Sequence, residues 1–351
     1  MTSARIPGDP GALDGLAEQS TAALAELPGG PVPPLHARPP AGWWADVDGR
    51  GVFLRRTEGS VVVAGPAPDA WYVHGLAGSS TNWTSLALLL RDRARGFLLD
   101  LPGHGRSDPP PRGRYRLADD AKVLAALIEA QSTGAVHLVG NSLGGMVAVE
   151  LAARRPDLVA TLTLISPAVP DLRLTGERGG DPRLALLLLP GTSGLADRRL
   201  AGIPAAQRVA GMLDLCFGDP TAVGVDELEA ATAELVWRQP LPWVHTATVG
   251  SLRALMTSYL RTRTGSFAAA AARISCPTLI VWGTRDRLVD PRLGQRTAAA
   301  FPRAELLVLP GVGHTAQLED PVPVARALVA LWDGAGAPHP DPAPLVAASS
   351  L

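Results

Sequence analysis

A chain of 351 residues with 46% hydrophobic and 19% charged side chains can bury a sizeable core, and its 32 basic and 33 acidic groups nearly cancel. A net charge of −1 supplies no basic stripe for nucleic acid and no cationic face for an anionic membrane. The 37 glycines and 33 prolines exceed ordinary usage, but they follow no Gly-X-Y period and sit among abundant apolar residues, which excludes collagen and wholesale disorder.

The first residues, MTSARIPGDPGALDG, carry no apolar h-region. The longest apolar runs, at 184–189 and 86–90, fall far short of the roughly 18–20 residues a spanning helix needs. A soluble, cytoplasmic protein without stable membrane association is expected. Leu13, Leu16, Leu24 and Leu27 recur at helical spacing and predict one amphipathic helix within residues 11–27. The proline-rich stretch 28–40 then reads as a linker, so residues 1–40 form an extension. A hairpin follows, with strands near 43–47 and 51–57 joined through Asp48-Gly49.

Short apolar runs bounded by Gly, Pro or Asp come next, at 71–73, 97–99, 136–139, 162–165, 278–282 and 306–309. Continuous apolarity is the pattern of strands buried on both faces. Helical patterns such as 118–130 and 146–155 separate most of them, so the fold class is α/β, with a mainly parallel, doubly wound sheet. The stretch from Ser166 to Cys276 breaks the rhythm. It shows helical faces (Val209, Met212, Leu213 and Cys216; Leu228, Leu235 and Val236; Val249, Leu252, Met256 and Tyr259) and no convincing strand. It reads as a helical cap at 169–272, inserted between core segments 41–168 and 273–333. The Pro/Ala-rich tail 334–351 is expected to be disordered. Two cysteines, Cys216 and Cys276, make neither a disulfide framework nor a zinc site and read as small apolar side chains.

The sharpest chemical signal is Gly140-Asn141-Ser142-Leu143-Gly144-Gly145, after one strand-like run and before a helical one. A turn this tight strains its central residue and needs small neighbours two before and two after, which Gly140 and Gly144 supply. It exposes Ser142 Oγ at the sheet edge, at the positive end of the next helix. A serine hydroxyl is a weak nucleophile alone, so a histidine and an orienting carboxylate are required. His314, in Gly313-His314 just past the run 306–309, is the base expected; Asp286, just past 278–282, is the acid. Asp290 and Asp171 are rival acids. The order Ser142, Asp286, His314 is the one expected when a G-x-S-x-G turn supplies the nucleophile. Oxyanion donors are expected from the backbone N–H of Leu143 and, in the loop His74-Gly75-Leu76-Ala77-Gly78, of Leu76. His74 reads as a brace of that loop, and Asp100 and His104 as structural.

These motifs resemble the α/β-hydrolase superfamily. The likeness rests, in order, on His74-Gly75-x-x-Gly78-Ser79 with Trp83, on Asp100-Leu-Pro-Gly103-His104-Gly105-x-Ser107, on the Gly140 to Gly145 elbow, and on Gly283-x-x-Asp286 with Gly313-His314 and Glu319-Asp320-Pro321. It spans about residues 45–332 and implies an eight-stranded, mostly parallel sheet, a helical cap, and no metal or other cofactor. It also implies exclusions. Serine at 142 sets aside the branches with an aspartate nucleophile, the dehalogenases and epoxide hydrolases. Leu76 and Leu143 argue against perhydrolases, and Leu143 against proline iminopeptidases. Carbon–carbon bond hydrolases share Gly140-Asn141-Ser142 but carry a Ser-Gly-Pro-Gly type loop where this chain has Leu76-Ala77-Gly78. What remains is hydrolysis of a carboxylic ester, thioester or lactone of a small, apolar substrate, the small-molecule partner expected. An acyltransferase, a carbon–carbon bond hydrolase and a ligand-sensing protein on the same scaffold stay as alternatives.

Overall fold

The computed structural model describes residues 13, 15–27, 37–58, 69–171, 202–262 and 265–335. In chain order the strands are β1 (Gly42–Asp46), β2 (Gly51–Arg56), β3 (Ala70–Val73), β4 (Gly96–Leu99), β5 (Val136–Asn141), β6 (Val159–Ile165), β7 (Thr278–Gly283) and β8 (Ala304–Leu309). They form one eight-stranded sheet in the order β1-β2-β4-β3-β5-β6-β7-β8. The hairpin β1–β2 and the pair β2–β4 are antiparallel; every other pairing is parallel. The register aligns the carboxyl ends: Val73 opposite Gly140, Asn141 opposite Ile165, and Gly283 opposite Leu309. Loops leaving these ends therefore converge on one edge.

The body helices are α1 (Thr84–Leu89), α2 (Leu117–Gln131) and α3 (Leu143–Arg154) before the insertion. The insertion holds α4 (Ala205–Cys216), α5 (Val225–Arg238), α6 (Val244–Tyr259) and the short α7 (Phe267–Ala271). After it come α8 (Leu293–Ala298), α9 (Ala316–Glu319) and α10 (Pro321–Gly334). Alternate residues of each strand feed opposite faces of the sheet. Trp71, Leu138, Leu162 and Ile280 pack with Leu124 of α2 and Val147 of α3. Tyr72, Val139, Ile165 and Val281 pack with Leu86 of α1 and Leu328 of α10 on the other side. Both faces are covered by helices, which is why the strands read as unbroken apolar runs.

The N-terminal segment departs from expectation. The expected helix does not run through 15–27: residues Gly15–Gln19 make a 3₁₀ turn and 20–27 run without helix along the edge strand β8. Thr21 and Ala22 donate their N–H groups to Leu306 O at 2.7 and 3.0 Å. In return, Ser20 Oγ accepts from Val308 N at 2.9 Å and Thr21 Oγ1 from Leu306 N at 2.9 Å. Farther along, Ala25 N donates to Arg326 O and Ala25 O accepts from Arg326 Nε. An open edge strand has backbone groups to satisfy, and Ser and Thr bond backbone more readily than they sit inside a helix. The leucine spacing is met differently: Leu16 packs on one core face and Leu27 on the other.

The linker at 28–36, the tail from 336 onward and residues 172–201 and 263–264 of the inserted segment lie outside the described residues. Between β6 and β7 the described residues form helices and no strand, as expected. No helix among the described residues is long and apolar enough to cross a membrane.

Candidate active site

Only Ser142 separates β5 from α3, and it holds φ 53° and ψ −116°. A non-glycine residue there stores strain of order 1–3 kcal/mol and persists only where its surroundings over-determine it. Those surroundings are explicit. Ser142 N donates to Ile165 O at 3.0 Å, and Ser142 O accepts from Ala168 N at 3.2 Å. The turn tolerates no side chain at its glycines: a Cβ on Gly140 would lie 2.6 Å from Gly144 O, and one on Gly144 would lie 2.2 Å from Val73 O. The serine is half-buried while Leu143 beside it is fully buried.

The loops after β7 and β8 bring Asp286 and His314 together. Both are buried, and His314 Nδ1 lies 2.8 Å from Asp286 Oδ2. The other carboxylate oxygen, Oδ1, accepts from Leu288 N and Val289 N at 2.8 and 2.9 Å. An acceptor-only carboxylate at Nδ1 makes that nitrogen the ring donor and leaves Nε2 free to accept a proton. Asp290 is not the partner of His314; its Oδ1 accepts from Arg292 N at 2.9 Å in the turn before α8. Asp171 stands at the end of a described stretch, and the carboxylate on His314 Nδ1 is that of Asp286.

The histidine loop is tied to the elbow by Asn141, whose Nδ2 donates to Ile165 O at 3.0 Å and to His314 O at 3.2 Å. It is tied to the insertion by His314 N, which donates to Cys216 O at 2.6 Å. Glu319 completes the support: Oε2 accepts from Gly313 N at 2.7 Å and Gly218 N at 3.0 Å, and Oε1 from Asp219 N at 3.0 Å. Among the described residues no hydrogen bond joins the Ser142 hydroxyl to His314 Nε2. Such contacts are commonly loose before substrate binds and tighten in the complex. Sequence reasoning assigned no role to Asn141 or Glu319. Their positions, one beside the serine and one five residues past the histidine, were the available signals.

The third loop leaves β3. Gly75 lies against the elbow, where an added Cβ would sit 3.2 Å from Ser142 Cβ. Gly78 N donates to Gly75 O at 3.1 Å, closing a turn over residues 75–78 with Ala77 at φ 57°. His74 braces it as expected: Nδ1 donates to Gly75 O at 2.7 Å, and Nε2 accepts from Leu101 N at 3.0 Å. Burial pushes its pKa down to about 4, so the ring is neutral and both nitrogens are used. The Leu76 N–H shares a peptide plane with the pinned Gly75 carbonyl and points the opposite way. The Leu143 N–H belongs to the first turn of α3, among the donors a helix leaves unpaired. Asp100 is structural: it accepts from Ser80 N at 2.5 Å and Arg106 N at 2.8 Å, and burial raises its pKa. His104 is buried with its ring 5.4 Å from that of His74, and burial pushes its pKa down to about 3.

Among the described residues no group of three His, Cys, Asp or Glu side chains is placed to hold a metal ion. Cys216 and Cys276 are unpaired thiols that burial pushes up to about 12 and about 11, and thiols so protonated are inert.

Comparison with known proteins bears on the fold and the family. An uncharacterized protein of Mycobacterium tuberculosis is 30% identical over 266 residues, covering 74% of this chain and 73% of that protein. A 2-hydroxy-6-oxononadienedioate/2-hydroxy-6-oxononatrienedioate hydrolase of Escherichia coli K12 is 27% identical over 253 residues, 70% of this chain and 81% of its own. Among solved structures, a putative lipase of Acinetobacter baumannii superposes with a TM-score of 0.65 at 19% identity, covering 95% of this chain and 99% of the other. The model of the alpha/beta hydrolase fold matches residues 72–321, from within β3 to the first residue of α10, with the elbow inside it. On that match the chain belongs to the alpha/beta hydrolase fold family.

Proposed function

We propose that this chain is a serine hydrolase that opens a carboxylic ester, thioester or lactone through an acyl-enzyme on Ser142. The observation that carries the reading is the strained Ser142 at the start of α3, on the same sheet edge as the buried Asp286–His314 pair. His314 Nε2 takes the Ser142 proton as Oγ attacks the carbonyl carbon. The Leu76 and Leu143 amides receive the oxyanion as it forms. Asp286 holds the imidazole tautomer and stabilises the imidazolium. The proton passes to the leaving alcohol or thiol, water then attacks the acyl-enzyme with His314 as base, and the acid is released.

The described helices of the 169–272 insertion act as a cap over this edge. Support comes from two contacts of the insertion: Cys216 O with the histidine loop and Arg238 Nη1 with Ala77 O at 2.7 Å. A small, apolar substrate is the class retained. The Trp237 ring, 39% exposed, packs under the Arg106 guanidinium at 4.0 Å. A second reading, carbon–carbon bond hydrolysis, is favoured by the Escherichia coli relative named above and by the shared Gly140-Asn141-Ser142. It uses the same serine, base and oxyanion donors.

The separating experiment is a substrate panel: p-nitrophenyl esters of increasing acyl length, thioesters, lactones and a vinylogous 1,5-diketone acid. Ester turnover that falls by about 10⁴-fold or more in Ser142→Ala is expected. Turnover of the diketone alone would move the assignment to the second reading.

A further inference from the structure

Arg238 ends α5, in the insertion, yet its side chain reaches the loop that follows β3, where Nη1 donates to Ala77 O at 2.7 Å. Its Nε is buried without a hydrogen-bond partner. Glu234, one turn back on α5, and Asp100 act on it only at longer range, and burial lowers its pKa. A guanidinium withdrawn from water normally pairs with a carboxylate, because desolvation is otherwise uncompensated. Here the acceptor within hydrogen-bond distance is a neutral backbone carbonyl. Placing a charged donor on that carbonyl is what the arrangement achieves.

The carbonyl belongs to a turn whose shape matters to the reaction. In the turn closed by Gly78 N on Gly75 O, Ala77 takes the third position at φ 57°, where glycine normally sits. An alanine there is strained and needs external restraint. The body restrains one end: His74 Nδ1 and Gly78 N both hold Gly75 O, the carbonyl in the same peptide plane as the Leu76 N–H. Arg238 restrains the other end from the insertion. A charge-assisted bond is the stronger kind.

We propose that Arg238 is a positioning residue for the oxyanion turn, so that the aim of the Leu76 N–H depends on α5 being docked on the body. The proposal rests on the acyl-enzyme reading above for its kinetic consequence, but not for its structural one.

The test compares Arg238→Gln and Arg238→Lys with the parent full-length protein. In R238Q, kcat for neutral p-nitrophenyl esters is expected to fall about tenfold to a hundredfold, the size of effect a misplaced oxyanion donor produces. KM is expected to stay within about twofold, because the loss is confined to the transition state. Labelling of Ser142 by a small neutral phosphonate slows in parallel, and R238K, which can still donate to Ala77 O, recovers most of the loss. Amide hydrogen exchange over residues 75–78 is read in the same proteins and does not depend on turnover; faster exchange in R238Q is expected. Three results would overturn the proposal: unchanged exchange at 75–78, a kinetic loss limited to acid-bearing esters, or a loss that tracks a lowered melting temperature in both variants. If the parent protein fails to label at Ser142 while exchange still rises in R238Q, the clamp stands and the hydrolase reading falls.

Discussion

In the sheet, β5 is buried at all six of its positions, and α3 buries nine of its twelve residues against it. In the insertion, α5 buries none of its fourteen and α4 buries Val209 alone. Six of the eight large hydrophobic side chains exposed among the described residues, Ile203, Met212, Val225, Val236, Trp237 and Leu260, lie in the inserted segment. The insertion meets the body through α6, which buries Val249, Leu252 and Leu255, and through individual polar ties. These include Tyr259 Oη on Ala168 O at 2.8 Å, Arg287 on the Asp214 carbonyl, Cys216 O on the His314 amide and Arg238 on Ala77. Close packing specifies the sheet edge on which the chemistry is built. A few directional bonds set how the inserted helices meet it, and an element held that way opens at a lower free energy than the core.

That contrast can be broken most forcefully in the core. Leu124, fully buried between α2 and the sheet, should cost about 2–5 kcal/mol when cut to Ala, by the transfer and cavity terms together. Met212→Ala, on the exposed side of α4 at 50% exposure, should stay within about 0.5 kcal/mol. Chemical denaturation of both variants gives the pair of values, and similar losses would contradict a division between packed body and tied insertion.

Glu319→Ala should fall between them. It leaves the amides of Gly313, Gly218 and Asp219 without their acceptor, at about 1–3 kcal/mol. Because it loosens the histidine loop and the end of α4 together, activity should drop more than stability. Parallel melting and rate measurements check this.

A smaller effect separates the strained elbow from the rest of the body. Ser142→Gly removes the proposed nucleophile but accommodates φ 53°, so it should raise stability by about 1 kcal/mol while abolishing turnover. A variant that melts below the parent would mean the elbow is not strained.

The smallest is a pH effect. Burial holds the His137 pKa at about 4, down from 6.5. The unfolded chain gains that proton first as pH falls, so the folded state loses stability between pH 6.5 and about 4 and this contribution is intact above 6.5. His137→Phe keeps a ring stacked on Trp332, now at 4.5 Å, and should decline less steeply in melting temperature over that interval. An unchanged slope would place the acid sensitivity elsewhere.

What the sequence made legible follows the same division. Strands buried on both faces leave continuous apolar runs, so β5, β7 and β8 can be located to within a residue or two, and the loops after them deliver Ser142, Asp286 and His314. The glycines of the elbow are readable because two backbones must touch there. The N-terminal segment is not legible in the same way, because leucines at helical spacing also fit a chain lying on β8, and the deciding partners, Leu306 and Val308, stand almost three hundred residues away. Arg238 was invisible for a related reason. Its partner Ala77 is 161 residues distant, and an arginine at a helix end looks like any solvated charge.

The most direct measurement on the central claim is labelling with a fluorophosphonate, followed by mass-spectrometric mapping, in the parent protein and in His314→Ala. A single adduct on Ser142, formed far more slowly in His314→Ala, is the result expected of a serine activated by the Asp286–His314 pair. An adduct at any other residue, or undiminished labelling without His314, would contradict it.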